Sequence, residues 1–318
     1  MTFVIQLTKS EVPTGSITPS SSNISKCQVI YWLVLASACL INANSVADRS
    51  DADDEGVDEI IGGTTVARGQ HQYMAYLRSF YAGGAGSCGG TVITNRYILT
   101  AAHCVQDHKT GEIASKVEVR LKVYTISPMD SGAKLITVTG SSIKPHPAYF
   151  SNGAFNSIYD IALIKMTANL PTSDYYLIGK LYMPDYQDTV TAVGWGLTSS
   201  TSTTASPTLQ QVDFKIGTKD ECTSFWGSTY HHEYQMCGII PGKSVCRGDS
   251  GGPIVRYSSG YQIYTQVGIS SFVPASINGQ ALCEKGYAVF TRPSAHRDWI
   301  TANSCIAGGG FCNHWFDV

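Results

Sequence analysis

The residues with the clearest chemical potential in this 318-residue chain surround one serine. The run Gly248–Pro253 reads GDSGGP, with Ser250 at its centre. Glycines on both sides let the backbone bend sharply, expose the hydroxyl and aim backbone N–H groups at a point beside it. A nucleophile next to such donors is what acyl transfer requires. An ordinary glycine-rich turn is the alternative for a shorter motif, but the full run favours a nucleophilic Ser250.

Two further motifs supply the groups that such a serine needs. His103 lies in the run Leu99–Cys104, which reads LTAAHC. An imidazole of ordinary pKa can take the serine proton at neutral pH. Asp160 stands immediately before the apolar run Ile161–Ile164, where its carboxylate could orient the imidazole. A lone histidine is usually structural, and a lone aspartate before a strand usually forms a turn. Only the combination of these residues with the serine motif supports a catalytic role for them.

A fourth motif marks a junction in the chain. The segment Asp48–Glu59 holds seven carboxylates and one arginine, which cannot bury a core and predict a disordered activation segment. It stops at Ile60–Gly63, which reads IIGG. A new amino terminus at Ile60 would be a buried cation, and Asp249 is available as its partner. The alternative is that the two glycines form only a turn.

The first 47 residues are expected to be a secretory leader. The apolar run Val29–Ile41 is 13 residues long, whereas a membrane-spanning helix needs about 17–25. Lys26 precedes it and Ser45–Ala47 offers small residues at a cleavage site. A signal-anchor and a lipid-attachment site at Cys39 are the alternatives. Cys27 and Cys39 are therefore expected to belong to the leader and not to the folded protein.

The composition excludes several classes of protein. Only 14% of residues are charged and the net charge is −2, which argues against nucleic-acid binders and charged disordered proteins. Ten cysteines without a Cys-x-x-Cys pair indicate an oxidising compartment rather than a metal site. The run His231–Glu233 could suggest a metal, but neighbouring side chains of a strand point apart, so a loop patch is favoured. No metal or cofactor is expected.

The elements that must position these residues are expected to be strands. Short Val-, Ile-, Thr- and Tyr-rich runs recur between turn signals, which predicts an all-β fold of closed barrels or a sandwich. These runs are Tyr73–Arg78, Gly90–Thr94, Tyr97–Thr100, Val117–Tyr124, Ala162–Lys165, Val190–Gly194, Gln262–Ser271 and Ala288–Thr291. One helix is predicted over Pro293–Asn303, where proline stands at the start.

Taken together, the LTAAHC and GDSGGP motifs resemble the chymotrypsin-type serine endopeptidases. The resemblance covers about residues 60–304, followed by a tail at 305–318. It implies two six-stranded antiparallel β-barrels, at about 75–170 and 180–292, with a short C-terminal helix. His103 and Asp160 would come from the first barrel and Ser250 from the second.

The family resemblance also assigns roles. It makes His103 the general base, Asp160 its orienting group and Ser250 the nucleophile. The backbone N–H groups of Gly248 and Ser250 would form the oxyanion hole. Ser271 would support Asp160 and line the substrate.

Three disulfides follow from the same resemblance. It implies the pairs Cys88–Cys104, Cys222–Cys237 and Cys246–Cys283. Cys305 and Cys312 remain in the tail, where a bridge closing their short loop is the simplest expectation.

Substrate preference is read from the expected pocket. Ser244 would form its floor, and without a charge it argues against cleavage after Arg or Lys. Phe272, Val273 and Ala288 would line the walls, although the alignment near Gly286 could slip by one or two residues. Val273 narrows the pocket, which favours small or medium aliphatic residues, as in elastases. Chymotrypsin-like cleavage after Leu, Phe or Tyr is the alternative.

Two charged residues modify this expectation. Arg247, at the cleft rim, would either favour acidic residues in the substrate or be an ordinary solvated arginine. Glu59 precedes Ile60, so a tryptic activator would not cut there; an acid-specific protease or stepwise trimming is expected.

The chain is therefore expected to be a secreted, extracellular endopeptidase made as a zymogen. Its mature form is expected to be monomeric and not embedded in a membrane. Expected partners are protein or peptide substrates, an activating protease and protein protease inhibitors, with no nucleic acid. The alternative is a non-catalytic homologue that acts as a binding module, although such homologues usually lack a residue of the triad and this chain keeps all three.

Overall fold

The computed structural model describes residues 60–170, 180–181, 188–239, 241–260, 263–276 and 278–304. The expected leader, the acidic segment and the tail with Cys305 and Cys312 lie outside these residues. No helix in the described part combines the length and hydrophobicity that crossing a bilayer requires.

The first half of the described chain forms ten short strands. They are β1 (Thr64–Thr65), β2 (Met74–Tyr81), β3 (Gly84–Val92), β4 (Tyr97–Thr100), β5 (Lys116–Leu121), β6 (Lys134–Thr139), β7 (Ile143–Pro145), β8 (Phe150–Ser151), β9 (Ala154–Phe155) and β10 (Ala162–Lys165). Seven of them make an antiparallel sheet in the order β6-β5-β2-β3-β4-β10-β7, and β8 pairs with β9 in a separate hairpin. This first sheet curls around a core of aliphatic side chains.

The second half adds seven strands and two helices. They are β11 (Lys180–Leu181), β12 (Thr189–Gly194), β13 (Gln210–Ile216), α1 (Lys219–Trp226), β14 (Gln235–Ile239), β15 (Pro253–Ser258), β16 (Ile263–Phe272), β17 (Ala288–Thr291) and α2 (Arg297–Ser304). Six strands run in the order β13-β12-β15-β16-β17-β14, and β14 pairs back with β13. The second sheet is therefore a closed six-stranded barrel. β1 extends β13, and β11 pairs with β16 in parallel.

The predicted double-barrel fold is confirmed, with one difference in the first half. Its sheet has seven strands, and in the residues described no ladder joins β6 to β7, so it is a half-barrel rather than a closed one. Side-chain alternation gives this sheet one apolar face, because Val117, Val119 and Leu121 of β5 are buried while the residues between them are only partly buried.

The predicted C-terminal helix is confirmed as a 3₁₀ turn, Pro293–His296, that continues into α2. Proline at the first position of the turn has the backbone angle that helix initiation needs. α1 was not predicted. It begins with a capping box, in which Thr218 accepts from the Glu221 backbone N–H and the Glu221 carboxylate accepts from that of Thr218.

The segment that carries Ser250 lies between the two sheets. The Gly89 N–H, on β3, donates to the Ser250 carbonyl at 2.8 Å. On the other side the Gly251 N–H donates to the Ser270 carbonyl at 2.8 Å, and the Ser270 N–H donates to the Gly252 carbonyl at 2.9 Å. Ser250 is thus attached to a strand of each sheet.

Candidate active site

His103 and Asp160 meet at the ends of two neighbouring strands of the first sheet. β4 pairs antiparallel with β10, so the residues after Thr100 and those before Ala162 lie side by side. One Asp160 carboxylate oxygen lies 2.8 Å from His103 Nδ1. The other accepts from the His103 backbone N–H at 2.9 Å. This double contact fixes both the ring and the backbone of His103.

Two hydroxyl groups of the second barrel also donate hydrogen bonds to Asp160. The Ser271 hydroxyl donates to Asp160 Oδ2 at 2.5 Å. The Thr291 hydroxyl donates to the Asp160 carbonyl at 3.0 Å. The carboxylate is therefore held from both halves of the fold.

The electrostatics of this pair favour an ion pair. Burial acts to raise the pKa of Asp160, but the neighbouring His103 and the hydrogen bonds from His103 and Ser271 outweigh it and lower that pKa. Burial acts to lower the pKa of His103, but the charge and hydrogen bond of Asp160 prevail and raise it. Asp160 thus stabilises a protonated imidazole, which a general base needs after it has taken a proton.

The segment that carries Ser250 packs against the strand end that carries His103. Within the described residues the Ser250 hydroxyl makes no hydrogen bond, and His103 Nε2 lies 3.9 Å from Cys104 Sγ. A Cβ on Gly251 would lie 2.9 Å from Cys104 Sγ and closer still to the Thr100 hydroxyl. Only glycine therefore lets the serine segment pack this tightly against the strand end that carries His103.

The backbone around Ser250 offers unused donors. In the described part of the chain the N–H groups of Gly248 and Ser250 donate to no protein acceptor. Gly248 has a φ of 102°, which side chains with a Cβ rarely adopt. Paired free N–H groups beside a hydroxyl can stabilise an oxyanion.

Asp249 is buried next to the serine without a cation. Its two carboxylate oxygens accept from the backbone N–H groups of Gly196, at 2.8 Å, and Cys246, at 2.9 Å. A Cβ on Gly194 or Gly196 would collide with this carboxylate. Burial raises the Asp249 pKa to about 6, because within the described residues no charged side chain pairs with it.

Ile60 and Ile61 lie in the same half of the fold. The Ile60 side chain is fully buried in the core of the second barrel. The Ile61 carbonyl accepts from the Ser244 N–H at 3.2 Å. The residue predicted as the activated terminus therefore already occupies a core position in the uncut chain.

A cavity of about 240 Å³ opens beside Ser250. The predicted pocket residues Arg247, Ser271, Phe272 and Val273 line it. Further lining residues, which sequence reasoning missed, are Val245, Cys246, Ser270, Ala275, Gly279 and Ala281.

Two predicted pocket residues, Ser244 and Ala288, are not on the lining of this cavity. Ser244 is buried, and its hydroxyl has no hydrogen-bond partner in the structure. Ala288 is buried in the barrel core on β17. Val245 and Ala281 stand on the cavity wall instead. Arg247 donates through Nη2 to the Gly279 carbonyl at 2.7 Å, across the mouth.

A second cavity, of about 450 Å³, adjoins the first at Phe272 and has a mainly apolar lining. His103 and Trp226 also line it, and Trp226 lies on the unpredicted α1. A substrate that reaches Ser250 therefore meets apolar surface beyond the first pocket.

The three disulfides implied by the resemblance are all present. They join Cys88 to Cys104, Cys222 to Cys237 and Cys246 to Cys283. Cys88, His103 and Cys104 bring ligand-type atoms close together, but the two sulfurs are bonded to each other and cannot bind a metal as thiolates.

The chain is similar to known proteins across almost all of its described part. The family model described as Trypsin matches residues 60–300. A chymotrypsin of Phaedon cochleariae is 31% identical over 254 residues, which cover 77% of this chain and 82% of that protein. A chymotrypsin-like elastase family member 1 of Macaca fascicularis is 32% identical over 262 residues, with 78% and 90% covered. A CLIP domain-containing serine protease B10 of Anopheles gambiae is 31% identical over 272 residues, with 77% and 70% covered.

Proposed function

This chain belongs to the trypsin family of serine endopeptidases, and from that premise we propose that it is a secreted zymogen with elastase-like preference. The observation that carries the catalytic part is the hydrogen-bonded network of His103, Asp160 and Ser271, with the Ser250 segment packed against the strand end that holds His103.

In the proposed mechanism, His103 Nε2 takes the Ser250 proton as the hydroxyl oxygen attacks the peptide carbonyl. The N–H groups of Gly248 and Ser250 bind the oxyanion of the tetrahedral intermediate. His103 then protonates the leaving amine, which leaves an acyl-enzyme on Ser250. Water, deprotonated by His103, hydrolyses that ester and restores the enzyme.

Replacement of the nucleophile tests this mechanism. Ser250→Ala should reduce peptide hydrolysis by roughly 10⁴–10⁶-fold while the fold is kept, because the acyl-enzyme cannot form. Hydrolysis of a chromogenic peptide and the circular dichroism spectrum are the measurements. Wild-type turnover in the folded variant would refute the assignment.

The proposed zymogen switch rests on Asp249 and Ile60. Cleavage after Glu59 would create an ammonium at Ile60, which would supply the cation that buried Asp249 lacks. The uncut chain should therefore hydrolyse peptides slowly, and an Asp249→Asn chain should still hydrolyse them slowly after the cut. Acetylation of the new terminus should have the same effect as that variant. A fully active chain that is uncut at Ile60 would overturn the switch.

The activating enzyme is proposed from the residues before the cut. Asp58 and Glu59 precede Ile60, so an acid-specific protease or stepwise trimming would do the cutting. Incubation with trypsin should not produce a chain that begins at Ile60, whereas an acid-specific protease should. Amino-terminal sequencing distinguishes the two.

The proposed preference for small or medium aliphatic residues before the cut rests on the first cavity. Its volume is about 240 Å³, and Val273, Ala275 and Ala281 line it. Among the described residues its lining contains no acidic side chain that would select Arg or Lys. Cleavage after Leu, Phe or Tyr remains the second candidate, because most of the lining is apolar.

A substrate panel varied at the residue before the cut separates the two preferences. The native enzyme should prefer Ala and Val, and Val273→Gly should raise the kcat/KM for Phe relative to Ala by about tenfold. Ala288→Gly is the matched control, because Ala288 is not on the cavity lining. A native preference for Phe would select the second candidate.

Secretion is proposed from the expected leader and from the three disulfides, which form in oxidising compartments. Expression in a secreting cell should release a chain that begins near Asp48. The need for a cut implies an activating protease as a partner. We also propose that protein protease inhibitors bind in the cleft and that the mature form is a monomer.

A further inference from the structure

A short 3₁₀ turn, Ser157–Tyr159, comes directly before Asp160, and side chains of the second half hold both ends of this segment. Gln235 Nε2 donates to the Ser157 carbonyl at 3.3 Å. The Thr291 hydroxyl donates to the Asp160 carbonyl at 3.0 Å. The backbone that carries Asp160 is therefore anchored from the other half of the fold.

His296 holds the middle of the same segment. Its Nε2 lies 3.0 Å from the Ile158 carbonyl. Because a carbonyl oxygen only accepts, Nε2 must carry the proton in this contact, which fixes the tautomer of the ring. His296 ends the 3₁₀ turn Pro293–His296 and is 4% exposed. Its buried N–H is thus bonded to the residue that lies two positions before Asp160.

Aromatic rings from both halves of the fold surround the His296 imidazole. The ring centre of His146 lies 5.5 Å from that of His296, and those of Tyr159 and Tyr234 lie 5.8 Å from it. The His146 ring stacks on Tyr159 at 4.7 Å. The His146 backbone N–H also donates to the Ile161 carbonyl at 2.9 Å. The imidazole is therefore packed between groups that lie on either side of Asp160 in the chain.

His296 is neutral at neutral pH. Burial and the neighbouring His146 lower the pKa of His296 to about 4, although the Ile158 carbonyl and Asp160 act to raise it. The phenols of Tyr159 and Tyr234 are the other titratable groups against the ring. Replacement of His296 by an uncharged residue would therefore change no charge near Asp160. An effect on the site would then have to come from a displacement of the Asp160 backbone.

We propose that His296 is a positioning residue for Asp160, which it holds against His103 by anchoring the Ile158 carbonyl. Asp160 contacts His103 Nδ1 at 2.8 Å and accepts from the His103 backbone N–H at 2.9 Å. Both contacts lengthen if the turn before Asp160 moves. The consequence for the rate of hydrolysis rests on the proposed function, whereas the consequence for the pKa of His103 does not.

The test compares His296→Leu with His296→Gln. Leucine fills the buried site without a donor, whereas the glutamine amide supplies an N–H in place of that of Nε2. His71→Leu is the matched control. His71 is also 4% exposed and hydrogen-bonded, but its partners are Tyr73 and Gln211 rather than the segment before Asp160.

The first measurement is the pKa of His103, followed by proton NMR of the imidazole in uncut Ser250→Ala chains. Loss of the His103 signal in a His103→Ala chain assigns it. His296→Leu should lower this pKa by about half a pH unit or more, because a displaced Asp160 stabilises the imidazolium less. His296→Gln should restore most of the native value, and His71→Leu should leave it unchanged.

The second measurement is peptide hydrolysis by the enzymes cut after Glu59. His296→Leu should lower kcat roughly tenfold with little change in KM on a short substrate, because a misplaced general base slows chemistry more than binding. His296→Gln should recover most of the rate, and His71→Leu should retain the native kcat. Urea denaturation records how much stability each chain has lost. If the His296→Leu chain does not fold, His296→Phe, which keeps a ring without the N–H, replaces it.

An unchanged pKa of His103 in a folded chain without the His296 N–H would overturn the proposal, whatever its rate. An equal lowering in the His71→Leu chain would do so too, because it would reflect general loosening of the fold. A His296→Gln chain that behaves like His296→Leu would show that the N–H is not what holds the turn, and would also overturn it. A native enzyme without peptidase activity would refute the proposed function and leave the titration result standing.

Discussion

Two buried aspartates, one in contact with His103 and the other next to Ser250 in the chain, have opposite electrostatic environments. Asp160 is 3% exposed and Asp249 is 1% exposed. Asp160 meets an imidazole and the Ser271 hydroxyl, and its pKa is lowered. In the described part of the chain the Asp249 carboxylate accepts only from two backbone N–H groups, and burial raises its pKa to about 6. Equal burial thus produces opposite shifts, because one carboxylate has a cationic partner and the other does not.

The contrast between Asp160 and Asp249 shows which contacts of the site are already formed in the uncut chain. The contacts among His103, Asp160 and Ser271 are already formed in the uncut chain. Within the described residues no positive charge contacts Asp249, and Ile60 already occupies the core of the same barrel. Under the proposed switch, the cut adds one charge to a framework that is otherwise in place.

The largest effect on catalysis is expected from replacing Asp160, the aspartate that contacts His103. Asp160→Asn should lower kcat by about 10⁴-fold, as the same change does in the chymotrypsin triad, because the amide holds the wrong imidazole tautomer. Stopped-flow or endpoint hydrolysis by the cut enzyme measures it, with circular dichroism as the control for folding. A loss below tenfold would mean that Asp160 does not orient His103.

The next largest effect is expected from Asp249, and it changes the free energy of unfolding of the uncut chain with pH. The Asp249 pKa is about 6 in the folded uncut chain, against an ordinary value of 3.8. Between about pH 4 and pH 6 the folded chain therefore holds a proton that the unfolded chain releases, and stability falls as pH rises. The loss amounts to about 3 kcal/mol at most.

Urea denaturation of uncut and cut Ser250→Ala chains tests this expectation. The uncut chain should lose stability across that window, whereas the chain cut after Glu59 should lose much less, because the new ammonium pairs with the carboxylate. Disulfides stay oxidised in both samples. If the free energy of unfolding changed with pH in the same way in both chains, the new terminus would not pair with Asp249, and the proposed contrast between the two aspartates would be wrong.

A smaller effect is expected at the support of Asp160. Ser271→Ala removes a hydrogen bond to a charged oxygen, a contact of about 1.5–3 kcal/mol, so kcat should fall roughly tenfold. Ser271→Thr keeps the hydroxyl and should recover most of the rate. The two variants are compared on one short substrate, so that contacts with the second cavity do not contribute.

The smallest effect is a shift in a pH profile. Asp160 raises the pKa of His103 above 6.5, and activity requires the neutral imidazole, so kcat/KM should rise with pH through a midpoint above 6.5. In Asp160→Asn the midpoint of the residual activity should move down. A midpoint that is the same in both enzymes would remove Asp160 as the cause.

The sequence predicted three strands beside the site more accurately than the pocket. β4, β10 and β17 have the predicted bounds, because short apolar runs between turn signals leave little freedom in assignment. α1 was missed because its one fully buried residue is Cys222 and its remaining residues are mostly polar. The capping box at Thr218 and Glu221 was the available signal.

The pocket lining escaped prediction for a different reason. Ala275, Gly279 and Ala281 reach the cavity because the loop after β16 folds back on itself, with the Ala275 backbone bridged to that of Ala281. The Cys246–Cys283 disulfide and the Arg247–Gly279 hydrogen bond tie this loop to the serine segment. Such long-range contacts leave no periodic trace in the sequence.

The attachment of the Ser250 segment to both sheets has a consequence for dividing the protein. Gly89 of β3 and Ser270 of β16 hold this segment from opposite sides, so neither half of the fold contains a working site. If the chain were divided between β10 and β11, each fragment alone would be inert. Turnover would return only when the fragments reassociate, which makes this fold suitable for reporting the proximity of two proteins fused to its halves.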